Sequence, residues 1–245
     1  MAGIDPYTVL LIHGNGVDGS ADFPDTTTLN HAITAVGNAQ VDTAQKKFGT
    51  GSVLLDGTGD WLSLADSDDW NFGSGDFTID LWIKRNATGA TYLFGQSNAT
   101  YSATSRAWEI NLTATGVIQG RVWVAGANQE APSPGSITND GLFHHLALIR
   151  YGNNLYLYLD GVSGGAKDIT GLTVQNSTNP LYIGSLAGLT PVNGWLDEIR
   201  VSKGIARWTA DFTPPTEEYS AIVEMYQGDI DVNLDTPEIN VREEE

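Results

Sequence analysis

"FTIDLWIKR", residues 77–85, alternates without a break: Phe77, Ile79, Leu81 and Ile83 point one way, Thr78, Asp80, Trp82 and Lys84 the other. A period of two is that of a β-strand with one face on a core, and such half-buried strands belong to antiparallel sheets. On this reading Asp80 meets solvent or a backbone turn. The flanking sequence repeats the pattern. "SVLLDGTGDWLSL" (52–64) is two strands around a turn-forming Asp56-Gly-Thr-Gly-Asp60 string. Further strand-like runs fall at 90–95, 107–113, 117–124, 142–150, 154–160, 181–183 and 195–202. Leu155, Leu157 and Leu159 are expected to face the core, with Tyr156, Tyr158 and Asp160 facing outward or toward a second layer. Asp160-Gly161 supplies the reversal after "LYLYLD".

Residues 8–13 read as a first strand near an edge, 14–50 as mostly loop with a strand around 39–43, and 204–208 ("GIARW") as the one helix-like turn. Short strands without crossover helices predict an all-β, two-sheet antiparallel sandwich. Its boundary is set at "DFTPPTEEY" (211–219), where Pro214-Pro215 stop any ladder. That gives a domain over 1–215 and an acidic extension over 216–245. From Glu217 onward there are ten acids and one base, Arg242, with apolar residues interspersed. The extension is therefore a solvated disordered tail or an arm that packs on a neighbouring subunit.

The 245 residues carry 30 acids against 12 bases, a formal charge of −18. A field of that sign repels nucleic acid and anionic membranes, so neither is an expected partner. Cysteine is absent, which removes thiol nucleophiles, disulfides and cysteine metal sites. The sequence shows no basic-plus-apolar leader and no long apolar run, so neither standard secretion nor membrane insertion is expected.

Hydrolase motifs occur but do not assemble. "VLLIHGNGVDGS" (9–20) has the His-Gly-x-Gly of an oxyanion loop, and Gly161-Val-Ser163-Gly-Gly165 matches a nucleophile elbow. All four histidines (His13, His31, His144, His145) lie upstream of Ser163, so no base follows it in the order such folds require. His144 and His145 are adjacent and face opposite ways on a strand, which prevents them from sharing an ion.

Six stretches, in order, resemble a known family: "LLIHGNGVDGS", "KFGTGSVLLDGTGDWLSL", "FTIDLWIKR", "HHLALIRYGNNLYLYLDGV", "LYIGS" and "GWLDEIRVSKGIARW". The chain is similar over residues 8–213 to the concanavalin A-like lectin/glucanase superfamily, in its laminin-G-like jelly-roll branch. That resemblance implies a sandwich of two curved antiparallel sheets. Its glucanase members carry two or three acids on one strand, and retaining hydrolysis needs two carboxyls about 5 Å apart. The nearest stretch here, "WEINLT", keeps Glu109 but has Asn111 and Thr113 where further acids would stand. The chain is thus not expected to be an enzyme.

The resemblance also implies a rim calcium ion, for which Asp18, Asp22, Asp25 and Asp197 are the candidates; the rival reading makes Asp18 and Asp25 Asx-turns and Asp197 a strand-end acceptor. Trp108, Glu109, Asn111, Gln119, Arg121 and Trp123 are the candidate glycan site, supplying aromatic faces and polar groups if their strands line the concave sheet. Free-standing members of this kind resemble virion proteins. The leading expectation is therefore a structural protein, a capsid decoration or tail-associated component on the virion surface. Its partners would be copies of itself, major capsid proteins or tail proteins. The alternative is an extracellular carbohydrate-binding or adhesion module with a surface glycan as partner.

Overall fold

The computed structural model describes residues 3–97 and 105–221. They form two antiparallel sheets packed face to face. The first sheet runs in the order Val162–Asp168, Asn154–Leu159, His144–Tyr151, Phe77–Arg85, Asn193–Lys203, Ser52–Asp56, Gln40–Asp42. Thr8–Ile12 pairs with the second half of Asn193–Lys203, on the side where Ser52–Asp56 takes the first half. The second sheet runs Ala127–Glu130, Ile118–Val124, Trp108–Leu112, Thr91–Gln96, Leu181–Ile183, Trp61–Leu64, Ile33–Val36.

The core lies between the sheets. Phe77, Ile79, Leu81 and Ile83 are fully buried in it, as the alternation predicts, together with Leu155 and Leu157. From the second sheet come Phe94, Trp108, Ile110, Leu112, Ile118 and Val122. Asp160 (φ 49°) and Gly161 (φ 81°) join Leu159 to Val162 directly. Two central residues with positive φ make the tight hairpin turn whose twist matches the strands. A Cβ on Gly161 would lie 1.8 Å from the Phe212 carbonyl oxygen, so no other residue fits there.

Three features depart from the expectations. Strands Ile33–Val36, Ala127–Glu130 and Val162–Asp168 occupy stretches read as loop or turn; each lies at or beside a sheet edge, where burial leaves only a weak hydrophobic signature. Residues 204–208 are not helical, and the one helical turn among the described residues is Asp68–Trp70, capped by Ser67. Arg207 instead reaches Asp5 in a two-pronged ion pair (2.8 and 3.1 Å).

The third correction concerns Asp80, which is fully buried rather than solvent-facing. Residues 203–221 cross the outer face of the first sheet and cover it. Trp208 and Phe212 stack (4.1 Å between centroids) and pack on Ala147, Ile149 and Tyr158, which is the second layer allowed for Tyr158. Tyr219 is buried and donates to Asp80 Oδ2 (2.5 Å), while Ser220–Ala221 pairs in parallel with Gly3–Ile4. Residues 216–221 of the expected extension thus lie against the sandwich, and 222–245 lie outside the described residues.

Candidate functional site

The outer face of the second sheet carries a polar stripe. Arg121 stands opposite Glu109 on one neighbouring strand and Glu130 on the other, and Gln119 stands opposite Asn111. Side chains two residues apart share a face, so these groups converge. Arg121 donates to Glu130 (2.8 Å), Glu109 (3.2 Å) and Asn111 (3.4 Å). Asn111 donates to Gln119 (3.0 Å), which donates to Glu130 (3.2 Å). A cleft of about 150 Å³ opens over this network, lined by Tyr92, Arg106, Glu109, Asn111, Arg121, Leu186 and Thr190. Burial pushes the Glu109 carboxyl above its ordinary pKa, against the pull of Arg121 and Arg106. Amide, guanidinium and carboxylate groups in one concavity can pair with the hydroxyls of a polar ligand.

Of the six residues expected at a glycan site, the structure brings Glu109, Asn111 and Arg121 into the cleft with Gln119 bonded beside them. Trp123 shares their face, but it is 4% exposed and the Arg106 guanidinium sits 4.9 Å over its ring. Trp108 leaves the set. It adjoins Glu109 and so points inward, buried against Phe94 and Phe72, with Nε1 donating to the Trp70 carbonyl (3.2 Å). Tyr92, Arg106 and Thr190 were not identified from sequence; Tyr92 enters because it registers opposite Asn111, which no local pattern announces.

Asp18, Asp22, Asp25 and Asp197 are not gathered into one group with metal-ligand spacing among the described residues. The two Asp25 oxygens accept from the Leu11, Thr27 and His31 backbone amides, from Thr27 Oγ1 and from His31 Nδ1, leaving no free lone pair. Asp18 accepts from Thr43, and Asp197 from the amides of Lys47, Phe48 and Glu198. Among the described residues the one group with metal-ligand spacing is His13, Glu198 and Glu218. His13 Nδ1 lies 2.5 Å from Glu198 and 3.4 Å from Glu218. An imidazole with two carboxylates does not suit calcium, which takes oxygen ligands throughout.

Two packed antiparallel sheets with a polar cleft on an outer face define a lectin-like jelly-roll β-sandwich. Residues 56–208 match the laminin-G family of the concanavalin A-like lectin/glucanases superfamily, and the chain belongs to that superfamily. No curated protein matches the chain in sequence. Among solved structures, the binding domain of Paraclostridial Mosquitocidal Protein 1 is similar (TM-score 0.62, 18% identity, 82% of this chain and 50% of that one). So is domain 4 of AbnA, an extracellular arabinanase from Geobacillus stearothermophilus, in complex with arabinotriose (TM-score 0.59, 17% identity, 80% and 92%). A third is the botulinum neurotoxin DC binding domain in complex with rat synaptotagmin II (TM-score 0.62, 14% identity, 83% and 50%). The chain spans about half the length of the toxin binding domains. No helix among the described residues is long and apolar enough to cross a membrane.

Proposed function

We propose that this domain is an extracellular carbohydrate-binding module that holds a saccharide on the outer face of its second sheet without turning it over. The observation that carries the reading is the cleft in which Tyr92, Arg106, Glu109, Asn111 and Arg121 converge. A volume of about 150 Å³ is small beside the roughly 300–1,000 Å³ of drug-sized sites, so the cleft takes a single sugar unit. Arg121 is the main donor, and the Glu109 and Asn111 oxygens are the acceptors. Glu109 has a guanidinium rather than a second carboxylate as its immediate neighbour, which suits recognition better than glycoside cleavage. The relatives support this reading over virion assembly: one similar domain was solved with arabinotriose, and the botulinum neurotoxin type C study ties cell entry to two ganglioside molecules.

The test is calorimetric titration of the chain with arabinotriose and a panel of uncharged oligosaccharides. Saturable binding is expected, weakened about 10- to 100-fold in Arg121→Ala, since a hydrogen bond to a charged group contributes about 1.5–3 kcal/mol. Binding whose affinity and stoichiometry are both unchanged in Arg121→Ala and in Asn111→Ala would place the sugar elsewhere.

A further inference from the structure

The outer face of the first sheet holds a larger concavity. Between Lys47–Phe48 and the chain at Thr213–Thr216, a groove of about 500 Å³ opens over Trp82, walled by Leu142, Phe143 and His144. That is more than three times the volume of the polar cleft (500 against 150 Å³) and within the usual range of ligand sites. Its lining mixes aromatic surface with donors and acceptors. The indole Nε1 of Trp82 is buried and has no hydrogen-bond partner. A native structure rarely leaves such a donor unmet unless water or a ligand supplies the acceptor. Lys47 Nζ rests 3.9 Å from the Trp82 ring centroid and 5.4 Å from that of Phe48. It forms no ion pair among the described residues.

The charges near the groove select the ligand. His144 is held between Asp160 (2.7 Å) and Asp140 (3.1 Å), and bonding to Asp160 and Asp140 outweighs burial to raise its pKa. Lys47 and His144 stand against Asp140 and Asp160, so neither sign of charge dominates the groove. An anion therefore gains no net attraction locally and is repelled by the chain's overall −18. A cation would have to displace Lys47 from the indole. An uncharged ligand with apolar faces and hydroxyl edges fits both conditions.

We propose that this groove is a second binding site, for an uncharged oligosaccharide. Its ring faces lie on Phe48 and Phe143, while its hydroxyl oxygens accept from Lys47 Nζ and its O–H groups donate to the Asp160 carboxylate. The proposal rests on the saccharide-binding reading but uses none of the same residues, and it makes the domain bivalent. With sugars held on opposite sheets, the domain can bridge two glycan chains, and the second contact raises avidity through effective concentration.

Calorimetric stoichiometry on the full chain, with arabinotriose and cellohexaose as probes, tests it. Wild type is expected to bind two saccharides per chain for at least one probe. Phe48→Ala should weaken one site at least 10-fold and leave the other intact, and Arg121→Ala should do the reverse. Leu142→Glu, at a wall residue 61% exposed, should reproduce the Phe48→Ala loss without disturbing packing, which guards against a misfolded variant. One site lost in Phe48→Ala and retained in Arg121→Ala upholds the groove even if the cleft binds nothing. All binding lost in Arg121→Ala overturns it, as does the absence of binding to either probe. Tighter binding of an oligogalacturonate at the groove would overturn the choice of an uncharged ligand. A change in Phe48→Ala confined to dimerisation in sedimentation would make the groove an interface between copies and overturn the proposal.

Discussion

Removing the Asp80 carboxylate should change both the stability of the sandwich and its response to acid. Asp80 and Arg200 are fully buried and joined by two bonds (2.9 and 3.2 Å), with the Arg200 guanidinium 3.7 Å above the Tyr219 ring. Burial alone would raise the Asp80 pKa, but Arg200 and His145 more than offset it and hold it at about 2 against an ordinary 3.8. A depressed native pKa gives stability that is present above 3.8 and lost as pH falls through 2. At about 1.4 kcal/mol per pH unit, the gap corresponds to about 2 kcal/mol. Arg200→Met leaves the carboxylate buried without its cation and should cost about 3–5 kcal/mol at pH 7, whereas Asp80→Leu/Arg200→Met should cost far less than the two single changes combined. Urea denaturation followed by tryptophan fluorescence at pH 7, 4, 3 and 2 measures all of this. The deficit of Asp80→Asn relative to wild type should shrink by about 2 kcal/mol between pH 4 and pH 2. Parallel acid losses in the two proteins, or a cost below about 1 kcal/mol for Arg200→Met, would refute the reasoning.

Two further outcomes follow from other buried groups. Trp108→Ala should destabilise the fold by about 3–5 kcal/mol while leaving saccharide affinity of the folded fraction unchanged, as paired denaturation and titration will show. Burial raises the Asp197 pKa to about 7, against the amides of Lys47 and Phe48 that pull it down. A raised native pKa favours folding at low pH and loses that contribution as pH climbs through 7, so Asp197→Asn should gain stability relative to wild type between pH 4 and pH 8 in thermal melts.

How much of this was legible depended on whether the cause lay within one strand. The period of two placed Phe77, Ile79, Leu81 and Ile83 on the core correctly, because a strand's inward face is set by its own alternation. The same rule already put Trp108 on the opposite side from Glu109 and Asn111, so its place among the sugar candidates contradicted the pattern that defined the strand. Asp80 is different. What covers it is Tyr219, 139 residues away, and no window around "FTIDLWIKR" contains that fact. Glu198 shows a third cause. The register slips between Asp197 and Arg200, and Glu198 sits at φ 49°; a bulge re-aims side chains that alternation would assign. That bulge brings Glu198 to His13, and Glu198 Oε2 accepts from the Tyr219 amide (2.7 Å). One local irregularity therefore anchors the segment that closes the first sheet's outer face. The second sheet's polar stripe has no such covering strap among the described residues. A sheet whose outer face is capped by its own chain can present ligands only at the edge of the cap, where the Trp82 groove lies, while the uncapped sheet can present them across its strands.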